Sequence, residues 1–351
     1  MLCSLIMAGG KGTRFWPEST SKKPKQFLSL INEKTMIQMT IERVKKIMPI
    51  ERIFVVTAER YKWLVSEQIP ELPEKNIIIE PMGMNTAPCI LLSTLYIKQI
   101  FKDATIAVLS SDAAINDSDA FCKNLLLAEK FIEKEEKEAI VTIGITPNRP
   151  ETGYGYIKYP LNEKNKLIKK PIKIEKFVEK PNLEKAKEYL DSGNYLWNAG
   201  IFIFNANTMM KEFESRCVDT YKLLKDLPEI DNPKYMENLK ERYSLCEATS
   251  IDYAIMEKSK SVYVIPSDFG WDDVGTWAAL KRYLKPDEDN NYAKGNVDIY
   301  ESKDNIVYTG KKKVILLGAE NIFCINSEDT IIIGNKERLS EVPELRKKYD
   351  F

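Results

Sequence analysis

The chain contains no histidine among its 351 residues. This absence excludes catalytic triads that use histidine, histidine-ligated metal sites and proton transfer by imidazole. Any chemistry that the chain performs must therefore run without an imidazole base, or use carboxylates and lysine in its place.

Net charge and long apolar runs are also absent. The 52 basic and 52 acidic side chains cancel, so we expect no nucleic-acid partner and no binding to an anionic membrane, although a local basic pocket for phosphates is allowed. No stretch approaches the roughly 20 apolar residues of a membrane span. The first apolar run lacks a basic flank and is cut short by Gly9 and Gly10, so no signal peptide is predicted and a cytoplasmic location is expected.

The six cysteines lack the close spacing of a zinc or redox motif. They are interpreted as free thiols in a reducing compartment.

Strands alternate with helices through the first 145 residues. Apolar runs predict strands at 2–7, 53–56, 77–79, 105–109 and 139–145, and helical spacing predicts helices at 37–48, 86–101 and 121–131. This alternation indicates an α/β fold, Rossmann-like, with a mixed, mostly parallel sheet and helices on both faces. Ligands bind at the carboxyl ends of such strands, so the loops after Met7 and Leu109 are the first candidate sites.

The pattern changes after Pro150 and again at a polar break at 286–291. Between them we predict helices at 183–190 and 250–257 and strands at 200–204 and 262–265. Beyond the break, short strands are predicted at 297–300, 306–308, 314–317, 322–325 and 330–333. We therefore expect one domain at 1–285 and a small, β-rich, β-helix-like domain at 291–351.

A glycine-rich loop follows the first predicted strand directly. Glycines let backbone N–H groups approach phosphate oxygens, and two cations in the loop can neutralise a triphosphate. The spacing matches neither a Walker A loop nor GxGxxG. The candidate nucleotide-binding residues are Ala8, Gly9, Gly10, Lys11, Gly12, Thr13 and Arg14. The alternative is a tight turn without a ligand.

A basic cluster, Lys22-Lys23-Pro24-Lys25-Gln26-Phe27, lies shortly after the loop. Such clusters are usually solvated surface. Its place after the glycine loop also allows it to supply cations to the same site.

These motifs and others later in the chain form an ordered set. The further motifs are Arg14-Phe15-Trp16-Pro17, Glu80-Pro81, Asn85-Thr86-Ala87-Pro88, Thr152 to Ile157, Phe177 to Pro181, Leu196 to Phe202, Ser250 to Glu257 and Trp271 to Trp277. Together they resemble the mannose-1-phosphate guanylyltransferase family of the sugar-nucleotide pyrophosphorylase superfamily, over roughly residues 1–285. The β-rich tail resembles the C-terminal part of its short, monofunctional members.

The resemblance implies transfer of GMP from GTP to mannose 1-phosphate, assisted by Mg²⁺. It assigns catalytic roles to Lys25, Arg14, Asp112 and Asp273, with the two aspartates as metal ligands. Further nucleotide contacts fall on Glu80, Asn85 and Thr86, and sugar contacts on Gly155, Glu179, Lys180 and Asn198. A phosphate monoester has a second pKa of about 6, so the attacking oxygen needs no general base. The assembly state is open, with a homodimer as one option.

Each assignment has a structural alternative. Asp112 suits a helix N-cap and Asp273 a turn, and Asp272 competes with Asp273 as the metal ligand. Glu80, Asn85 and Thr86 suit a strand end and a helix cap, and Glu179 with Lys180 suits an exposed charge pair. Trp197 and Trp271 suit either a pocket wall or the core.

One departure from the family pattern lies beside a predicted metal ligand. Ala113 follows Asp112 where the family usually has histidine. Two alternatives to the main function stay open. One is a nucleotidyltransferase for another sugar phosphate or nucleotide. The other, which only Ala113 favours, is a sugar-nucleotide-binding regulator that has lost turnover.

Overall fold

A computed structural model describes residues 1–10, 12–161, 170–310 and 312–349. The chain folds into two compact units, each built from several segments. The first unit comprises Met1–Gly9, Ile41–Ser111 and Ile115–Trp271. The second unit comprises Gly10–Thr40, Asp112–Ala114 and Asp272–Phe351. The division at 285 and 291 that we drew from the sequence stays a prediction.

Every strand predicted from the sequence is present, and the structure adds several short ones. The strands are β1 Leu2–Met7, β2 Ile53–Ala58, β3 Ile77–Glu80, β4 Thr105–Ser110, β5 Ala114–Ile115, β6 Ile140–Ile145, β7 Tyr156–Lys158, β8 Ile172–Lys173, β9 Lys176–Val178, β10 Tyr195–Asn205, β11 Val262–Ser267, β12 Trp271–Asp272, β13 Tyr292–Lys294, β14 Val297–Tyr300, β15 Ile306–Thr309, β16 Val314–Leu317, β17 Ile322–Asn326 and β18 Ile331–Asn335.

The α-helices are α1 Met36–Lys45, α2 Lys62–Gln68, α3 Thr86–Ile100, α4 Ser118–Lys134, α5 Leu183–Ser192, α6 Ala206–Arg216, α7 Val218–Leu224, α8 Tyr235–Tyr243, α9 Trp277–Leu280 and α10 Val342–Tyr349. Short 3₁₀ helices lie at Thr13–Phe15, Lys25–Phe27, Ile50–Arg52, Glu59–Tyr61, Glu74–Asn76, Lys281–Tyr283 and Lys336–Glu341. A π-helix covers Asp252–Met256.

A mixed, mostly parallel sheet forms the centre of the first unit. Its strand order is β3-β2-β1-β4-β10-β6-β11-β8, with β7 and β9 joined to it through β10. Strands β1 to β4 run parallel, β10 is antiparallel to both of its neighbours, and β6 and β11 are parallel. The inner strands are almost wholly buried, as expected for strands covered on both faces. The α/β fold expected from the sequence is confirmed.

Helices α3, α6, α7 and α8 pack into the apolar core of the first unit. Helix α3 is apolar on most sides, and its residues Ala87 to Leu92 are all buried. The sequence analysis did not predict α6 to α8. Their buried residues, such as Met209 and Phe213 in α6 and Leu239 in α8, are separated by polar and charged residues.

The C-terminal part of the second unit is β-rich, as expected. Strands β13, β15 and β17 are parallel, β18 runs antiparallel to β17, and β14 pairs in parallel with β16. Its turns recur at Asn290, Asp304 and Asn321, which share a positive φ of 55–60°. A buried asparagine ladder crosses these turns, because Asn305 Nδ2 donates to Asn291 Oδ1 and Asn305 Oδ1 accepts from Ile322 N. The ladder satisfies backbone groups that the turns leave unpaired.

The second unit has its own apolar core, which contains Phe15, Trp16, Leu28, Trp277 and Tyr308. The indole Nε1 of Trp277 donates to the carbonyl of Trp16 at 2.9 Å. This core therefore joins segments near the predicted catalytic residues to strands of the C-terminal region. In the part of the chain that the structure describes, every helix lacks the length or the apolar character that a membrane span needs.

Candidate active site

The loop after β1 begins in the first unit. The amide of Ala8 donates to the carbonyl of Val56 at 2.8 Å, which extends the β1 backbone by one residue. A Cβ atom at Gly9 would lie 3.1 Å from Glu80 Oε2. The Gly9 backbone therefore lies close to a carboxylate that the sequence placed near the base.

The second unit contains the rest of the loop, except Lys11, which lies outside the described residues. Gly12 has a φ of 56°, and a Cβ atom there would lie 2.5 Å from the amide nitrogen of Lys25. Only glycine tolerates both conditions. The Nε2 of Gln26 donates to the carbonyl of Gly10 at 3.1 Å. The loop is thus packed against the Pro-Lys-Gln segment, and Gln26 is a site residue that the sequence analysis did not assign.

Lys25 is the central cation of this site. Its side chain is 7% exposed, and Nζ donates to Asp112 Oδ2 at 3.0 Å, to the Asp112 carbonyl at 2.9 Å and to the Asp273 carbonyl at 2.6 Å. These bonds use all three N–H groups of the ammonium. The structure therefore brings together three of the four predicted catalytic residues.

Arg14 and Asp273 lie around Gly275. A Cβ atom at Gly275 would lie 2.8 Å from Asp273 Oδ2 and 3.4 Å from a terminal nitrogen of Arg14. Arg14 is exposed and follows Thr13, which begins a 3₁₀ turn. The fourth predicted catalytic residue therefore lies at the same loop as Asp273.

The two neighbouring aspartates have different surroundings. Asp272 accepts from Arg282 Nε at 2.6 Å and from Nη2 at 2.7 Å, and its Oδ1 also accepts from the Val274 amide. Its side chain is 13% exposed. The Asp272 carboxylate is therefore held by a guanidinium, and the choice between Asp272 and Asp273 as a metal ligand stays a prediction.

The carboxylates of Asp112 and Asp273 are the candidate ligands for a divalent cation. The described residues contain no group of three or more cysteines, aspartates or glutamates that could hold a metal by themselves. Asp112 offers a carboxylate that is 39% exposed, and Lys25 hydrogen-bonds to both Asp112 and Asp273. Mg²⁺ commonly takes one or two carboxylates and completes its shell with water and substrate phosphates. The residues present fit such a cation.

Glu80 is the last residue of β3 and is 7% exposed. Its Oε1 accepts from the Tyr243 hydroxyl at 2.8 Å, and burial raises the pKa of its carboxyl group. Tyr243 is fully buried and was not assigned by the sequence analysis, because a lone tyrosine in a polar helix gives no signal. A buried carboxylate held by a hydroxyl is a hydrogen-bond acceptor in a fixed position.

Asn85 and Thr86 have clear structural roles. Asn85 is the N-cap of α3, with a φ of 69°, and its Oδ1 accepts from the Thr86 amide at 2.8 Å. The Thr86 hydroxyl accepts from the Ile251 amide at 2.8 Å. The helix-cap alternative thus describes Asn85 well, and nucleotide contacts from both residues stay predictions.

The predicted sugar-binding residues Gly155, Glu179 and Asn198 meet in the first unit. A Cβ atom at Gly155 would lie 2.5 Å from Glu179 Oε2 and 3.3 Å from Asn198 Cβ. The Gly155 carbonyl accepts from the Asn198 amide at 2.8 Å. Glu179 also pairs with Lys180, but its side chain is only 9% exposed whereas that of Lys180 is 59% exposed. Glu179 is therefore not part of an exposed charge pair.

Asp252 joins this group and was missed as a site residue. Its Oδ1 accepts from Asn198 Nδ2 at 3.1 Å. Burial, followed by the nearby Glu179 carboxylate, raises the pKa of Asp252 to about 6. The residue lies in the π-helix, an irregularity often found at functional sites. Asp252 lies within the Ser250 to Glu257 motif, which was interpreted only as part of the family resemblance.

Tyr154 lies between the two tryptophans that the sequence singled out. Its ring makes edge-to-face contacts with Trp197 at 5.3 Å and Trp271 at 5.2 Å. Trp197 is 3% exposed, and Trp271 is half-buried. Trp197 therefore belongs to the packed interior.

Comparison with known proteins gives a consistent family. A family model described as nucleotidyl transferase matches residues 3–290. A mannose-1-phosphate guanylyltransferase of Salmonella montevideo is 39% identical over 303 residues, which are 85% of this chain and 63% of that protein. One of Salmonella muenchen is 34% identical over 350 residues, which are 98% of this chain and 72% of that protein. The chain thus spans less than two thirds of the first of these relatives.

A solved structure covers the whole length. The crystal structure of mannose-1-phosphate geranyltransferase from Thermus thermophilus has a TM-score of 0.85 and 30% sequence identity to this chain. The match covers 100% of this chain and 99% of the other. The whole architecture therefore has a close counterpart among solved structures.

Proposed function

Because this chain belongs to the nucleotidyl transferase family, and within it to the mannose-1-phosphate guanylyltransferases, we propose that it transfers GMP from GTP to mannose 1-phosphate. A phosphate oxygen of mannose 1-phosphate bonds to the α-phosphorus of GTP. The bond from that phosphorus to the oxygen that bridges to the β-phosphorus breaks. The products are GDP-mannose and pyrophosphate.

The observation that carries this proposal is the environment of Lys25. A buried ammonium, held by Asp112 and the Asp273 carbonyl, is a fixed positive charge. Fixed charges stabilise a reaction best where negative charge grows in the transition state. The attacking phosphate is already deprotonated at neutral pH, so the absence of histidine is no obstacle. We assign Lys25 to the α-phosphate and Arg14 to the phosphates that leave.

Nucleotidyl transferases in general use a divalent metal ion, and we propose Mg²⁺ for this chain. Asp112 and Asp273 would hold it, and the exposed carboxylate of Asp112 supports that choice. When bound, the cation would neutralise charge on the phosphate oxygens. Lys25 contributes by orienting the Asp112 carboxylate, since it donates to both the side chain and the backbone of that residue.

We propose that Glu80 recognises the guanine base by accepting hydrogen bonds from it. Guanine carries N–H donors on one edge, and Glu80 presents a buried carboxylate that Tyr243 holds in place. A carboxylate is an acceptor-only group, so it favours a base with donors at that edge. Gly9, whose missing side chain leaves the Glu80 Oε2 uncovered, supports this assignment.

We propose that Gly155, Glu179, Lys180 and Asn198 bind the sugar phosphate. The Asn198 carboxamide has a fixed orientation, because Oδ1 accepts from the Gly200 amide and Nδ2 donates to Asp252. One N–H of that carboxamide remains for a sugar hydroxyl. Asp252 therefore acts as a positioning residue for Asn198.

A direct assay tests the proposal. Purified protein with GTP, mannose 1-phosphate and Mg²⁺ should release pyrophosphate, and ATP, CTP or UTP in place of GTP should give much lower kcat/KM. Binding of both substrates without pyrophosphate release would contradict the enzymatic role and favour a regulator. Equal kcat/KM with another sugar 1-phosphate would contradict the assignment of mannose. We place the enzyme in the cytoplasm, which the free state of the cysteines in the described ranges supports.

A further inference from the structure

The second unit contains a cavity of about 530 Å³ that the proposed reaction does not use. Leu28, Leu30, Trp277, Leu280 and Tyr308 form its apolar wall. The predicted catalytic residues are not among the residues that line it. Its volume lies within the range of small-molecule sites.

Lys294, at the end of β13, contributes a half-buried ammonium to this cavity. Its Nζ donates to the Ser29 carbonyl at 2.5 Å, which uses one of its three N–H groups. Burial outweighs the attraction of Glu18 and lowers the pKa of Lys294 to about 8. Burying an ammonium is costly unless an anion compensates it, so this lysine is suited to an anionic ligand.

Further groups extend the site beyond one cation. Lys23 and Lys312 also line the cavity, and Lys23 comes from the basic cluster that the sequence singled out. Asn326 is 2% exposed, and its Nδ2 donates to Thr309. Its Oδ1 has no hydrogen-bond partner among the described residues. A ligand that fits would combine an anionic group, an apolar face and a hydrogen-bond donor.

We propose that this cavity binds a small organic phosphate, with the phosphate against Lys294, Lys23 and Lys312 and the organic part against Trp277 and Tyr308. A phosphate monoester carries a charge of about −1.5 to −2 at neutral pH. The three lysines attract that charge, and Glu18 and Glu328 offset part of the attraction. Lysine is a common point-charge binder of phosphate. The binding goes beyond the proposed reaction and does not depend on it, whereas the effect on kcat expected below rests on the proposed function.

The same geometry connects the cavity to Lys25. Ser29, which accepts from Lys294, lies four residues after Lys25, and the Leu28 amide donates to the Lys25 carbonyl at 3.0 Å. Trp277, in the cavity wall, lies four residues after Asp273. A ligand that draws Lys294 towards its phosphate changes the bond to Ser29. We therefore expect occupancy of the cavity to change kcat.

Calorimetry on the full chain tests the binding. The probes are inorganic phosphate, mannose 6-phosphate and GMP. They distinguish binding of a bare anion from binding of a sugar phosphate and from binding of a nucleotide. We compare wild type with Lys294→Met, Lys23→Met and Lys25→Ala. Lys313→Met is the matched control, because Lys313 pairs with Asp298 in the same β-rich region and does not line the cavity.

At least one organic phosphate should bind to wild type, to Lys25→Ala and to Lys313→Met with similar Kd. Lys294→Met should raise that Kd tenfold or more, and Lys23→Met should raise it severalfold. Because Lys23 is exposed, we do not expect its substitution to affect folding. The same ligand should change kcat at saturating substrates in wild type and not in Lys294→Met.

Three results would overturn the proposal. The first is no binding of any probe at millimolar concentration. The second is binding that Lys25→Ala abolishes while both cavity variants keep it, which would assign the ligand to the catalytic site. The third is equal weakening in Lys313→Met, which would indicate nonspecific attraction. An unchanged kcat at saturation would overturn the connection to Lys25.

Discussion

The ammonium of Lys25 donates to two oxygens of one residue, the Asp112 carbonyl at 2.9 Å and its Oδ2 at 3.0 Å. A single lysine thus fixes both the backbone and the carboxylate of a predicted metal ligand. The pair lies entirely within the second unit. The Lys25–Asp112 contact therefore holds in place both a positive charge for the phosphates and a carboxylate for a metal ion.

We predict that Lys25→Ala lowers kcat by about 10²–10³-fold with a smaller change in the KM for GTP. A fixed cation at the α-phosphate acts mainly on charge that grows in the transition state. Steady-state kinetics with GTP and mannose 1-phosphate measures this. Lys22→Ala is the control, because Lys22 is an exposed lysine three residues earlier. A normal kcat in Lys25→Ala would contradict a role of Lys25 in catalysis.

Asp112→Asn and Asp272→Asn should separate the two kinds of aspartate. We predict that Asp112→Asn loses most of the Mg²⁺-dependent rate, because it removes a proposed metal ligand. Asp272→Asn should instead lower the melting temperature, since it breaks the pair with Arg282. Rates measured against Mg²⁺ concentration and thermal melts distinguish them. A larger loss of rate in Asp272→Asn than in Asp112→Asn would make Asp272 a metal ligand, and full activity in EDTA would remove the metal altogether.

Two glycines of one loop form a matched pair. Gly12→Ala must strain a φ of 56° and bring Cβ to 2.5 Å from the Lys25 amide, so we predict lower stability and a lower kcat. Gly10→Ala meets no atom within 4 Å and should keep the stability of wild type. Urea unfolding and kinetics of both variants check this. Equal stability of the two would show that the loop does not pack against Lys25 as described.

Asp252→Asn should change the pH dependence of stability. Its carboxyl group has a pKa of about 6 in the folded protein against an ordinary value of 3.8, so the folded state binds the proton more tightly. Ionisation therefore destabilises the fold, a cost that is absent below about pH 4 and complete above about pH 6. Relative to wild type, Asp252→Asn should gain up to about 2–3 kcal/mol between pH 4 and pH 7.5.

Urea unfolding of both proteins at the two pH values measures that gain, and a constant difference would contradict the buried ionisation. Kinetics gives a second test of Asp252. The KM for mannose 1-phosphate should rise in Asp252→Asn while the KM for GTP stays near that of wild type, because Asp252 orients Asn198. Thr208→Ala, a change at a buried hydroxyl in α6, controls for a general loss of packing.

Much of the first unit could be predicted from local pattern. Strands β1 and β4 and helix α3 are apolar enough to be recognised within a residue or two of their bounds. Helices α6 to α8 were not predicted, because polar and charged residues separate their apolar ones. The π-helix was expected only as a helix, since its i+5 bonds have no signature in composition.

Site residues that lie in sequence motifs could be predicted, and those that depend on long-range packing could not. The motifs pointed to Lys25, Asp112 and Asp273, which the structure brings together. Motifs could not show that Asp272 pairs with Arg282, ten residues later. The hydrogen bond from Tyr243 to Glu80 spans 163 residues, and such a long-range contact leaves no local pattern.

The central claim is transfer of GMP to a mannose phosphate, and ³¹P NMR of the complete reaction tests it most directly. With GTP, mannose 1-phosphate and Mg²⁺, the signals of both substrates should fall together as a pyrophosphate signal and the two signals of a sugar-linked diphosphate rise in equal amounts. Lys25→Ala should show this change far more slowly. Signals of GDP and inorganic phosphate in their place, or no change in wild type over hours, would contradict the account.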